Sequence, residues 1–114
     1  MSHLINIKPL SVNEAWKGKR FKTDKYKNYE SRLLLMLPKL SIPNDCHLVA
    51  IYEFGFSSRN SDWDNPVKPL QDILQKKYGF NDSRIVSAHI SKHKVKKGDE
   101  YFRFSIEPIH GEKF

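Results

Sequence analysis

Apolar and polar residues alternate in four stretches of this chain and recur at helical spacing in two. A short strand is expected at Leu4 to Ile7, ended by Pro9. The segment from Ser11 to Thr23 has no clear period and reads as a long loop. From Asp24 the positions Tyr26, Tyr29, Leu33, Met36, Leu37 and Leu40 recur every three or four residues, the stripe of an amphipathic helix. Thr23 suits its N-cap, and Pro38 disfavours helical geometry at Leu37, so the helix should stop there. Cys46 to Phe56 follows as a strand with Leu48, Ala50, Tyr52 and Phe54 on one face and Val49 and Ile51 on the other, which predicts a central place in a sheet.

A second helix is expected to be capped by Asp64 or Asn65, with Pro66 at its first position, a buried stripe of Val67, Leu70, Ile73, Leu74 and Tyr78, and Gly79 as terminator. Pro69 predicts an irregular first turn. Arg84 to Lys94 alternates with Val86, Ala88 and Ile90 inward, Lys97-Gly98-Asp99 makes a turn, and Tyr101 to Glu107 carries Phe102, Phe104 and Ile106 on one face. The last two runs read as an antiparallel hairpin. The order β-α-β-α-β-β predicts one α+β domain over residues 1–114, a single mixed sheet with helices packed on it.

Composition narrows the partner. The chain has 114 residues, 20 Lys and Arg against 13 Asp and Glu, a formal charge of +7 and a pI near 9.5. Such a balance favours an anionic partner, because Lys and Arg on phosphates release condensed counterions; a surface tuned only for solubility carries the same charge. Six basic residues lie between Lys17 and Lys27, interleaved with Trp16, Phe21 and Tyr26, a mixture suited to a nucleic-acid groove. The single cysteine, Cys46, excludes an intrachain disulfide framework. No apolar run is long enough to span a bilayer and the start lacks the pattern of a signal peptide, so an intracellular, cytoplasmic protein is expected.

The acidic focus is Asp62-Trp63-Asp64-Asn65, with Lys68 and, past the helix, Asp82. On an extended backbone two carboxylates two residues apart point the same way and can share one cation. Magnesium prefers hard oxygen ligands and keeps waters, so two or three Asp residues suffice; it can activate water and stabilise charge on a phosphate. Asp82 would join the pair if the strand after it runs antiparallel beside the strand ending at Phe56. Lys68, one helical turn after Asp64, would then lean back over it. The alternative is plain capping and turn chemistry, which Asp and Asn favour at such positions. No zinc, calcium-loop, nucleotide-loop or nucleophile-elbow pattern is present.

The run Asp62-Trp63-Asp64-Asn65-x-x-Lys68, a helix, then Gly79-Phe80-Asn81-Asp82-Ser83-Arg84-Ile85-Val86 resembles the RusA family of Holliday junction resolvases, found in phages and prophages. The segment Pro9-x-Ser11-x-Asn13-x-x-Trp16-x-Gly18-x-Arg20 is similar to that family's start, and the resemblance spans nearly the whole chain. It implies that Asp62, Asp64 and Asp82 are catalytic, metal-binding acids and Lys68 a catalytic-site lysine. It also implies a homodimer, dependence on Mg²⁺ or Mn²⁺ with no small-molecule cofactor, and paired nicking of four-way DNA junctions. Lys17, Lys19, Arg20, Lys22, Arg59, Lys94 and Lys96 would contact DNA. Ser61 and Asn81 depart from the pattern, which commonly has a basic residue at the first position and an acidic one at the second. A junction- or DNA-binding accessory protein without chemistry is the competing expectation, and a structural protein that binds no nucleic acid is the next.

Overall fold

The computed structural model describes residues 2–17, 21–58 and 61–109. Its elements are β1 (His3–Ile5), α1 (Val12–Ala15), β2 (Trp16–Lys17), β3 (Phe21–Lys22), α2 (Asp24–Met36), β4 (His47–Phe56), α3 (Val67–Tyr78), β5 (Ile85–Lys94) and β6 (Tyr101–Ile109), with a 3-10 turn at Asp82–Arg84. Four strands form one mixed sheet in the order β1-β6-β4-β5, and β2 with β3 forms a small antiparallel ribbon. The α+β class and the single mixed sheet therefore hold.

The helix ends follow local chemistry. The Thr23 side chain accepts the Tyr26 amide at the start of α2, and Leu37 is extended before Pro38. α3 ends on Gly79, whose φ of 70° is left-handed and suits glycine. Its start differs from expectation: Pro66 stands at the cap, no side chain caps it, and the Asp64 carbonyl accepts the Val67 amide. Because α3 starts at Val67, Pro69 falls among the first N–H positions that lack an intrahelical partner, so it costs the helix no hydrogen bond.

Both helices bury their stripes on one face of the sheet. Tyr26, Tyr29 and Leu33 of α2 and Leu70, Ile73 and Leu74 of α3 pack with Leu48, Ala50, Tyr52 and Phe54 of β4 and Phe102 and Phe104 of β6. Met36, expected in the stripe, is exposed, whereas Leu37 just beyond the helix is buried. α2 and α3 are also tied by Lys76 to Glu30 at 2.9 Å and by the Tyr78 hydroxyl to the Pro38 carbonyl at 2.7 Å. On the opposite face, Glu53 receives the Tyr101 hydroxyl at 2.5 Å and lies 3.7 Å from His93 and 3.8 Å from Arg103.

Two expectations are corrected. The stretch from Ser11 to Thr23 is not a plain loop: Ser11 caps the short α1 through the Asn13 amide, and the ribbon follows. The last two strands do not pair as a hairpin. β5 runs parallel to β4 from Leu48↔Ile85 to Phe56↔Lys94, and β6 runs antiparallel to β4 on its other side. The Lys97-Gly98-Asp99 turn exists, with Gly98 at a φ of 100°, but it carries the chain over the end of β4 instead of straight back. A strand, a helix and a second strand in the same sheet form a crossover, and crossovers join parallel strands.

Candidate functional site

The end of β4 is where polar groups converge. A cleft of about 240 Å³ opens there, lined by Lys8, Ser11, Glu14, Ser57, Ser58, Ser61, Asp62, Asn65 and Glu100 around Pro9, Phe56 and Pro66. Four segments meet at it: the stretch before α1 together with α1, the end of β4, the turn before α3, and the turn before β6. The Val12 amide donates to the Asn65 carbonyl at 2.8 Å, fastening the start of α1 to the Asp turn. On the other side the Lys92 ammonium donates to the Ser61 carbonyl at 2.7 Å. The acidic turn is thus held between α1 and the end of β5.

Glu100 is the most constrained acid of this cleft. Its own amide, the Ser57 hydroxyl at 2.8 Å and the Gly98 amide at 2.8 Å all donate to it, which holds its carboxyl below the usual range. It stays anionic at neutral pH. Asp62 also lines the cleft, 3.4 Å from the Asn65 side-chain amide.

Asp64 is placed differently. The backbone bends at Trp63 and Asp64, so the period-two alignment expected of an extended segment does not apply, and Asp64 is exposed outside the cleft lining. Trp63 between them is 52% exposed. Lys68 does not lean back toward Asp64: its ammonium lies 3.3 Å from Asp72, one turn further on. The i,i+4 ion pair has displaced the expected contact.

Asp82 lies at the other end of the sheet. Its turn precedes the start of β5, which the parallel register sets beside the start of β4. The amide of Asp82 donates to Gln75 in the last turn of α3, and Arg84 donates to the Cys46 and Pro43 carbonyls. The twelve residues of α3 separate the two acidic turns by roughly 18 Å at ~1.5 Å per residue. The antiparallel placement that would have brought Asp82 to the pair is therefore overturned within one chain. Among the described residues no three carboxylate, imidazole or thiol groups stand close enough to hold a metal ion. Asp62 and Asp64 have the hard oxygen chemistry magnesium requires, but one chain does not bring the full set of three together.

The basic residues divide as well. Lys17, Lys94 and Lys96 are exposed. Lys22 is engaged internally, 3.6 Å from Glu30 and 5.0 Å above the Tyr26 ring. Lys19, Arg20 and Arg59 lie outside the described residues. Two of the expected stacking aromatics turn inward: Tyr26 is buried, and Trp16 packs on it with ring centroids 5.3 Å apart. Sequence reasoning missed Glu14 and Glu100 at the cleft; their signal was only proximity to the helix start and the strand turn.

No family model matches this chain, and no curated protein matches it. Among the described residues, no helix is long and apolar enough to cross a membrane.

Proposed function

We propose that the protein is a divalent-metal-dependent endonuclease acting on branched DNA as a homodimer. The observation that carries this reading is the exposed Asp62-Trp63-Asp64 turn, fastened on both sides at the rim of a polar cleft in a chain of net charge +7. A positively charged surface draws in a phosphate backbone, and the cleft offers carboxylates where a metal-assisted cut needs them. The resemblance to RusA resolvases adds the substrate, a four-way junction.

The dimer resolves the position of Asp82. β5 is an edge strand, and Ala88 and His89, on its two faces, are both exposed. Unpaired edges of this length invite pairing with another strand, and pairing about a two-fold axis runs the two strands antiparallel. Lys92 and Lys94 at the end of one β5 would then meet Asp82 before the other. That arrangement carries Asp82 of the second copy toward Asp62 and Asp64 of the first. Asp62, Asp64 and Asp82 would hold the ion, which supplies polarisation of the phosphate and an acidified bound water. Lys68, freed from Asp72, would contact the attacked phosphate.

A labelled synthetic junction incubated with Mg²⁺, beside an EDTA control, tests the reading. Asp64→Asn should keep junction binding and lose Mg²⁺-dependent nicking. Nicking undiminished in this variant removes the assignment. Tight binding without nicks by the wild type would instead favour an accessory DNA-binding protein.

A further inference from the structure

A second cleft lies between the segment leading into α1 and the exposed face of α2. Its volume is about 280 Å³, and it is lined by Lys8, Lys25, Asn28 and Arg32 over a floor of Ile7, Leu10 and Tyr29. Lys25, Asn28 and Arg32 follow one another at three- and four-residue spacing, so they share one face of α2. Glu14 at its rim is neutralised by Lys25 at 3.1 Å. Arg32 has no hydrogen bond or ion pair among the described residues, so the cleft retains the charge of Lys8 and Arg32 without an internal partner for the guanidinium.

The floor adds a polar group. Tyr29 is buried, and its hydroxyl has no hydrogen-bond partner among the described residues. Burial pushes its pKa up. It therefore stays a protonated donor.

Lys8, Pro9 and Glu14 line both this cleft and the one at Asp62, so the two adjoin. We propose that the second cleft seats a phosphodiester of the same nucleic-acid strand whose neighbouring segment lies at Asp62, with Arg32 and Lys8 contacting phosphate oxygens and Asn28 the sugar-phosphate edge. The inference rests on the nucleic-acid reading above and extends it to residues outside the Lys17 to Lys27 segment and the β5 end. A planar guanidinium with nothing to hold it inside the protein is well suited to a phosphate. Contacts of this kind position the strand without reading bases.

The test compares two charge reversals of equal size. Arg32→Glu alters the cleft, whereas Lys39→Glu changes an exposed lysine beyond the far end of α2. Binding of a fluorescein-labelled four-way junction is followed by anisotropy over a range of salt, with thermal melting to verify that both variants fold. Arg32→Glu should weaken binding on the order of tenfold and make the slope of log K against log salt shallower by about 1, and Asn28→Ala should weaken it less. Lys39→Glu should stay within about twofold of wild type, as a remote screened charge does. Equal effects of Arg32→Glu and Lys39→Glu overturn this inference and leave the nucleic-acid reading in place. A wild-type protein that binds no junction overturns both.

Discussion

β4 and β5 are both ten-residue strands, lie side by side and alternate in sequence, yet one is core and the other is surface. Along β4, Leu48, Ala50 and Phe54 are fully buried on the helix side. Ala88 of β5, on that same side and directly opposite Ala50, is exposed. The difference lies in what covers them: the stripes of α2 and α3 pack with β4 and β6, whereas β5 adds only the partly buried Ile85 and Ile90 to the margin of that core among the described residues. Alternation specifies two faces of a strand, but only its neighbours decide whether a face is covered.

The contrast can be broken most directly in β4. Phe54→Ala should cost about 3–5 kcal/mol, because it opens a cavity among Tyr52, Phe102 and their neighbours, and a lowered midpoint in urea unfolding would show it. Gly55→Ala should cost ~1–3 kcal/mol, since an added Cβ meets the Tyr101 ring that covers it; Tyr101→Ala in the same chain should recover part of the loss.

The helices that shield β4 are linked by Glu30, which the Lys76 ammonium and then Lys22 hold below the ordinary carboxyl range. Glu30→Gln should therefore cost about 1 kcal/mol at neutral pH. The lowered folded-state pKa makes this contribution present above the unfolded value of 4.5 and lost as pH falls through the folded value. Unfolding curves of wild type and Glu30→Gln should accordingly converge in acid. Ala88→Ser on β5 should change stability by less than ~0.5 kcal/mol, the smallest effect of the set. A large loss there in dilute monomer would mean that β5 is covered after all.

Much of the fold was legible in particular residues. Thr23, Pro38 and Gly79 marked helix ends by their own backbone chemistry, and the stripe of Leu70, Ile73 and Leu74 marked the buried side of α3. The neighbour relations were not legible from alternation, since β5 and β6 have compatible patterns for a hairpin or for flanking β4. The sequence did contain one discriminating sign, the strand-helix-strand order from Cys46 to Lys94, which favours a parallel crossover. At the site, the Asp62 turn and Lys8 cleft depend on where four separate segments meet, which no spacing encodes. The bend at Trp63 and the capture of Lys68 by Asp72 are local choices among several compatible ones.

On the proposed reading, the parallel register makes Asp82 a residue that a second copy would supply to the Asp62 turn. Mixing Asp64→Asn with Asp82→Asn protein and measuring Mg²⁺-dependent nicking of a labelled junction tests that claim most directly. Each variant alone should be inactive, and the mixture should regain nicking, because half-and-half dimers contain one intact set of acids. A mixture as inactive as its components despite subunit exchange, or an Asp82→Asn protein that cuts as well as wild type, would contradict it.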